Sequence, residues 1–588
     1  MLYYMADFEL KLICTTDLHM EIYGFDYVSD RALPGQGLVH LKAIIDDERV
    51  SGPSLVFDNG DFLQGGRLAE ELISEPRHPL ADILNSIGYD AITLGNHDFD
   101  FGLEPLKSFL KQLSMPVISS NLCSEVLESH VAPSKILEVE LDGSNRSRNL
   151  LKVGIIGLLP PQTLQWNNTQ LVGHIEIGDI VEVARSASKA LRDEGADIVV
   201  ALAHTGLGAA EHSKMMENAL IPLSHLLTLD AVVGGHTHDW VHSGDEPSLG
   251  PVPVVQAGAH AKGVGLIELG LEHHRKWTVT KTKTRLRRVP EVRQGPNADH
   301  NSKAAIAHQR VRTQLAEPVG RTQRVLTNHL SALGYDDGVK LMHAAIHWRM
   351  KALSLPPLKH IATFSSFRSN SAYGSNNFLE TDPRVIRQRD VAGISPFNNP
   401  LCVFLRSGAQ IRKWMADTSA YFQTLEQGSS DQSLRDISYP AYYFDQFSRF
   451  EYAFDLSQPV SNNSARVPKL KLGGKTVRDT DVFAVGAIVY RAHGGGNLFR
   501  VDPKDLLWKD DIGLRDLLIE YLRQSQATTP SEAPLWTFSP LERTKAHFDI
   551  TSETNVAPPR SANVRKMAAS TTKTRFEVNL GTLAPAWQ

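Results

Sequence analysis

Asp17 and His19, Asp61, Asn96 and His97, His204, and His236 and His238 are the residues of this chain whose types could do chemistry together. Each set comes closely after an apolar run: Leu10-Lys11-Leu12-Ile13-Cys14, Leu55-Val56-Phe57, Ala91-Ile92-Thr93-Leu94, Ile198 to Ala203, and Ala231-Val232-Val233. Imidazoles with carboxylates and an amide oxygen, and no thiolate, suit borderline to hard divalent ions such as manganese, zinc, iron or cobalt. The candidate ligands Asp17, His19, Asp61, Asn96, His204, His236 and His238 are too many for one four-coordinate ion and natural for two ions that share a bridging carboxylate. His97 has Asp100 near enough in sequence to orient its ring. The chemistry open to such a set is metal-assisted hydrolysis.

The elements that must position these groups can be read from the same runs. A short continuous apolar run bounded by turn residues reads as a buried strand, which presents the next few residues at its end. Helix candidates lie between the strands, at Gly37 to Asp47 and Pro79 to Gly88. Further strands are expected at Pro116 to Ser119, ending at Asn121, and at Leu151 to Leu159, beyond a polar stretch around Asp142 to Asn149. Alternating strands and helices argue for an α/β layered domain. In such sheets ligands bind at the carboxyl ends of strands, so the groups should converge although they span much of the N-terminal half. Gly60 permits a tight turn that points Asp61 back over the strand edge, and Asp58 reads as a turn residue.

The chain is too long for one core. Composition, with 42% hydrophobic and 22% charged residues, is that of an ordinary soluble globular protein. Sixty-one basic and 66 acidic residues leave a net charge of −5, so no basic footprint argues for a polynucleotide or an anionic membrane as partner, while single nucleotides remain possible ligands. Cys14, Cys123 and Cys402 are too few and scattered for a disulfide framework or a thiolate metal site, and Cys14 reads as a small buried hydrophobe. Met1 to Glu9 shows no signal-peptide pattern, and no run is long enough to span a membrane, so the chain as written is expected in the cytoplasm, as a monomer.

Around Gln294 to Asn301 apolar periodicity is lost, and Ser302 to Leu315 reads as a connecting helix capped by Asn301 or Ser302. The expected organisation is residues 1–300 as one domain, 301–322 as linker helix and 323–588 as a second domain. Strands are expected there at Leu358 to Phe364, Leu401 to Leu405 and Val482 to Val489, with helices at Gly338 to Leu353 and Gly408 to Phe422. Phe397 and Tyr490 read as loop aromatics beside proline, glycine and amides. Each could stack on a nucleobase or simply pack in the core. The glycine run Gly494-Gly495-Gly496 lacks the ending of a phosphate loop.

Asp17-x-His19, Gly60-Asp61, Gly95-Asn96-His97-Asp98, His204 and Gly235-His236-Thr237-His238 together resemble the calcineurin-like metallophosphoesterases. That resemblance implies a four-layer α/β/β/α sandwich. It places Asp17, His19, Asp61 and His238 on one ion and Asp61, Asn96, His204 and His236 on the other, with His97 as catalytic imidazole held by Asp100. Asp98 stands where the nucleotidase branch carries Glu, a position that is not a ligand. The C-terminal half is similar to the nucleotide-binding domain of the 5′-nucleotidase superfamily, in which two aromatics sandwich the base. Closer still is the likeness to bacterial 2′,3′-cyclic-nucleotide 2′-phosphodiesterase/3′-nucleotidases. It rests on Pro160-Pro161-Gln162 with Trp166, Asn398-Asn399-Pro400-Leu401, Tyr443-Phe444-Asp445, Tyr452-x-Phe454-Asp455, Tyr490-Arg491-Ala492 and Phe576 to Leu580.

The resemblance implies a separate α/β substrate domain in which Phe397, Asn399, Tyr490 and Arg368 meet the nucleotide while the domains close over it. The implied activity is two-metal hydrolysis of 2′,3′-cyclic nucleotides to 3′-nucleotides and then to nucleoside and phosphate. A 5′-nucleotidase or nucleotide-sugar hydrolase with the same metals is the alternative, and a nucleotide-binding scaffold without activity is the reading from another class. Two departures stand out. Ser369 to Gly374 replaces the family's Gly-Gly-Arg element, leaving Arg368 for the anion, and the export that the resemblance implies, to the periplasm, has no signal here.

Overall fold

The computed structural model describes residues 8–142, 148–167, 171–291, 302–369, 377–525, 529–551, 556–557, 563–569 and 573–582. Most of the polar stretch after Asp142, the break in periodicity at Gln294 to Asn301 and the segment Asn370 to Gly374 lie outside them. The chain divides into two compact units, Met1–Arg312 and Thr313–Gln588, and the division falls within the helix Lys303–Ala316.

The first unit contains a seven-stranded sheet in the order Trp277–Arg288, Gly263–His273, Phe8–Thr15, Ser54–Asp58, Ala91–Thr93, Val117–Ile118, Val131–Ala132. A six-stranded sheet runs Trp240–His242, Val254–Ala257, Ala231–Val233, Ile198–Ala203, Arg148–Leu158, Ser134–Asp142. Side-chain alternation explains why the runs are apolar throughout. In Ile198–Ala203, Ile198, Val200 and Leu202 join a core with Leu12, Cys14 and Phe57 of the other sheet. Val199, Ala201 and Ala203 join a second core with Ala184 and Leu191 of the helix Ile180–Asp193. Burial of a Val, Leu or Ile side chain is worth about 1.5–3 kcal/mol. Strands covered on both faces have no polar face to show, and the result is a four-layer α/β/β/α sandwich.

Register brings the strand ends level. Phe8–Thr15 and Ser54–Asp58 are parallel with Thr15 opposite Asp58, and Phe57 lies opposite Ala91. In the other sheet Leu158 is opposite Ala203 and Leu202 opposite Val233. The turns after these strands therefore open on one edge of the sandwich. Asp58 is a turn residue here, accepting from Thr15 Oγ1 at 2.6 Å and Gly60 N at 3.1 Å. Asn121 likewise serves the backbone, bridging Leu159 and Gly178.

The second unit is built on a five-stranded sheet in the order Asp445–Phe447, Lys359–Ser365, Val482–Ile488, Pro400–Ser407, Leu506–Gly513. Ala362, Val403 and Ala484 face the helices Asp337–Ala352 and Leu514–Gln524, while Ile361, Cys402 and Val485 face a second core around Trp414 and Phe447. Tyr490, expected in a loop, lies instead in a single turn of helix, Val489–Ala492, directly after a strand. Among the described residues no helix is long and apolar enough to cross a membrane.

Candidate metal centre

The seven candidate ligands all stand in turns at the strand ends, and the backbone there is unusual. Asp17, His19, Asp61, His236 and His238 have φ of 51°, 46°, 58°, 73° and 61°, the left-handed region that costs a non-glycine residue about 1–3 kcal/mol. The surrounding turns enforce it. Asp98 accepts from the backbone N–H groups of Asp61 at 2.9 Å, Phe62 at 3.0 Å, Leu63 at 2.9 Å and Gly95 at 2.8 Å, locking two ligand-bearing turns together. Gly60, at φ 90°, lies so close to the Gly95 backbone that a Cβ there would collide with it. Asp98 thus has a structural duty rather than one at a metal, and its burial beside Asp61 pushes its carboxyl up to about 7.

The side chains form two overlapping clusters, Asp17 with His19 and His238, and Asp17 with Asp61 and His204. Asp17 Oδ1 is 3.4 Å from His238 Nε2, 3.9 Å from His19 Nε2 and 3.7 Å from His204 Nε2. Asp61 Oδ2 is 3.0 Å from His204 Nε2 and 4.0 Å from His19 Nε2, so both carboxylates face both clusters. His236 and Asn96 stand together beside them, with Nδ1 and Oδ1 2.9 Å apart, and the rings of His236 and His204 are 5.6 Å apart. All seven are gathered at this edge. Only His238 is well exposed, at 41% of its side chain.

Backbone hydrogen bonds decide which ring nitrogens point inward. His204 Nδ1 donates to the Asn59 carbonyl at 2.7 Å and His19 Nδ1 to the Gln64 carbonyl at 3.0 Å, so each ring turns its Nε2 to the site. His19 Nε2 and His238 Nε2 lie 3.0 Å apart. His204 Nε2 and Asp61 Oδ2 are both buried and 3.0 Å apart. Burial opposes charge on every one of these groups. Even so, Asp61 and Asp17 outweigh it and hold His204 up to about 10, while His204 and its neighbours hold both carboxyls below their usual range. A site that attracts a proton this strongly through nitrogen and oxygen lone pairs fits a divalent cation.

His97 sits at the rim with 37% of its side chain exposed, its backbone N–H donating to Asp61 Oδ1 at 2.7 Å. Its Nδ1 is 2.8 Å from Asp100 Oδ2, which orients the ring and leaves Nε2 for a ligand. Crowding disfavours the charged ring, but Asp100 and Asp61 together hold it up to about 10.

Three neighbours carried no signal in spacing or periodicity. Glu217 meets His236, Trp166 stacks on the same ring, and the His260 ring lies 5.2 Å from that of His19 and 5.3 Å from that of His238. Only Trp166 belonged to a recognisable motif.

In the second unit Phe397 is 36% exposed in its loop. Its ring is 5.9 Å from that of Phe367, which lies 6.1 Å from Tyr442 in nearly parallel planes, 12° apart, and Tyr442 is 4.7 Å from Tyr443. Tyr490 is partly buried, in hydrogen-bond contact with Tyr443 and packed on Gly495. Arg368 is buried at the neighbouring loop, and the Asn399 carbonyl accepts from Leu514 N at 2.9 Å. Three aromatic rings, those of Phe367, Tyr442 and Tyr443, thus connect Phe397 to Tyr490.

Residues 10–240 match the calcineurin-like phosphoesterase family and residues 318–501 the 5′-nucleotidase C-terminal domain. The chain is 27% identical over 582 residues to a 2′,3′-cyclic-nucleotide 2′-phosphodiesterase/3′-nucleotidase of Haemophilus influenzae, covering 91% of this chain and 88% of that protein. It is 26% identical over 576 residues to the trifunctional nucleotide phosphoesterase YfkN of Bacillus subtilis, covering 92% of this chain but only 39% of that relative's length. A putative 5′-nucleotidase from Staphylococcus aureus shares the fold, with a TM-score of 0.74 at 20% identity over 90% of this chain and 99% of the other. The calcineurin-like domain implies divalent metal ions, and the Asp and His clusters fit them. The chain therefore carries a calcineurin-like phosphoesterase domain over residues 10–240, followed by a 5′-nucleotidase C-terminal domain over residues 318–501.

Proposed function

We propose that the protein hydrolyses 2′,3′-cyclic nucleotides to 3′-nucleotides, and 3′-nucleotides to nucleoside and phosphate, at a centre holding two divalent ions. The observation that carries this reading is the likeness to the Haemophilus enzyme of that name along nearly the full length of both chains. Asp17, His19, Asp61 and His238 would hold one ion and Asp61, Asn96, His204 and His236 the other. Asp61 as the shared ligand is supported by its 3.0 Å and 4.0 Å approaches to His204 and His19. Bound divalent ions supply Lewis acidity at the phosphoryl oxygens and lower the pKa of the attacking water.

His97 performs the proton transfer. With Nδ1 bonded to Asp100, its Nε2–H is free to donate to the leaving ribose oxygen, O2′ when the cyclic ester opens and O3′ when the monoester is cut. In each step water adds its oxygen to phosphorus as the P–O bond to that ribose oxygen breaks. The second unit holds the base through Phe397 and Tyr490, with Asn399 and Arg368 near the sugar and phosphate.

Steady-state kcat/KM on 2′,3′-cyclic AMP, 3′-AMP and 5′-AMP tests the assignment. The expected order puts the first two substrates above the third. Preference for 5′-AMP would overturn it in favour of a 5′-nucleotidase.

A further inference from the structure

His236 is gripped on three sides. Its Nε2 is 2.9 Å from Glu217 Oε1, and its Nδ1 is 2.9 Å from Asn96 Oδ1. The Trp166 ring lies against its face, with centroids 5.5 Å apart and planes 23° from parallel. Edge and face contacts together leave the imidazole little freedom to rotate about χ2, the torsion that aims its ring nitrogens.

The groups that grip it are themselves anchored. The segment carrying Glu217 returns to the strand end beside His204: the Glu217 carbonyl accepts from Thr205 Oγ1 at 2.7 Å, Ala219 N donates to that hydroxyl at 2.9 Å, and Gly206 N donates to Asn218 Oδ1 at 3.1 Å. Trp166 closes the short helix Thr163–Trp166, and the next residue, Asn167, donates from Nδ2 to the Asn96 carbonyl at 3.2 Å. One mount is tied to the turn after His204 and the other to the turn that bears Asn96.

The chemistry of the contacts fixes the tautomer. A carboxylate only accepts, so Glu217 requires the proton on Nε2. In the neutral ring, the form that can bind a cation, Nδ1 is then a lone pair beside the Asn96 amide oxygen, another acceptor. Two acceptors 2.9 Å apart with no proton between them repel unless a cation joins them.

We propose that Glu217 is a positioning residue that holds His236 as its Nε2–H tautomer, with Trp166 setting the ring plane, so that Nδ1 is the atom offered to a divalent cation alongside Asn96. The inference rests on the two-ion reading above. Carboxylates hydrogen-bonded to a ligating histidine typically change metal affinity by roughly 10- to 100-fold when removed.

The test is calorimetric titration of the full-length, metal-stripped protein with Mn²⁺, comparing wild type, Glu217→Ala and Glu217→Gln, with the thermal midpoint of each metal-free form measured alongside. Glu217→Ala should weaken one of two Mn²⁺ binding events roughly 10- to 100-fold and leave the other at its wild-type constant. Its metal-free midpoint should be unchanged, because the Glu217 side chain is 37% exposed. Glu217→Gln, whose amide oxygen can still accept from Nε2–H, should return the weakened constant to within a few-fold of wild type. Unaltered Mn²⁺ constants in Glu217→Ala overturn the proposal, as does an equal weakening of both events with a lowered metal-free midpoint. If wild type itself binds fewer than two ions, the two-ion reading falls and takes this inference with it. If wild type binds two and Glu217→Ala binds them with the same constants, only this inference falls.

Discussion

The acidic and imidazole cluster of the first unit and the aromatic chain of the second are built by opposite means. Around the cluster, five ligand candidates accept left-handed backbone, and Asp98 commits its whole carboxylate to four main-chain N–H groups to hold the turns. Around the aromatics, precision lies one layer below the rings that would meet a base. Arg491 and Asp445 form a buried pair, Nε to Oδ2 at 2.7 Å, with Trp414 Nε1 donating to the same oxygen at 2.7 Å, while Phe397 itself stands in a loop with its ring edge-on to Phe367. Holding a cation demands donor atoms placed to tenths of an ångström, and strain is tolerated to achieve it. Stacking on a base demands a flat apolar surface and tolerates play.

Substitutions should expose that difference. His97→Ala strikes the rigid region and is expected to lower kcat about 10²- to 10⁴-fold while bound metal, counted by elemental analysis, stays at the wild-type level. Asp100→Asn, which keeps the ring but weakens its orientation, should fall between His97→Ala and wild type in the same assay. Phe397→Ala strikes the tolerant region. Loss of one stacking partner, about 1–3 kcal/mol, should raise KM for nucleotides roughly 5- to 150-fold with kcat held. A proportionate fall in kcat instead would mean that Phe397 shapes the reaction rather than binding.

A third substitution supplies the ordinary structural background. Glu48 is buried against Lys11 at 2.8 Å, Arg285 at 2.6 Å and Arg287 at 2.7 Å. Burial would raise its carboxyl, but those three cations bring it down to about 2 from an unfolded value of 4.5. A depressed folded value means that its stabilisation is complete above 4.5 and is lost as pH falls towards about 2. Glu48→Gln should therefore cost on the order of 1–3 kcal/mol at neutral pH, read as a shift of the urea midpoint, and the cost should shrink in acid. Kinetics at neutral pH should be untouched.

Legibility in the sequence followed the same divide. Strand ends were readable because strands buried on both faces are unbroken apolar runs, and a run that ends in Asp-x-His or Gly-His-Thr-His announces what it delivers. Asp58 was legible as a turn residue for the same reason, lying between such a run and Gly60. Glu217 was not, because it reaches His236 from an irregular stretch whose course is set by Thr205 and Asn218 hydrogen bonds that no periodicity encodes. Asp98 could be excluded as a ligand by resemblance, but three of its four backbone bonds depend on two turns 35 to 37 residues apart meeting in space. Tyr490 reads as a loop residue because Gly494-Gly495-Gly496 dominates its surroundings, whereas the strand before it runs straight into one turn of helix. The aromatic chain linking it to Phe397 passes through Tyr443, Tyr442 and Phe367, residues scattered over the second unit with no common spacing.

The most direct measurement is activity on 2′,3′-cyclic AMP as metal-stripped protein is titrated with Mn²⁺, with bound metal counted at each point. A two-ion centre gives no turnover in the stripped form and activity that saturates as the second equivalent of metal binds per chain. Full turnover after stripping, or saturation with a single bound equivalent, would contradict it.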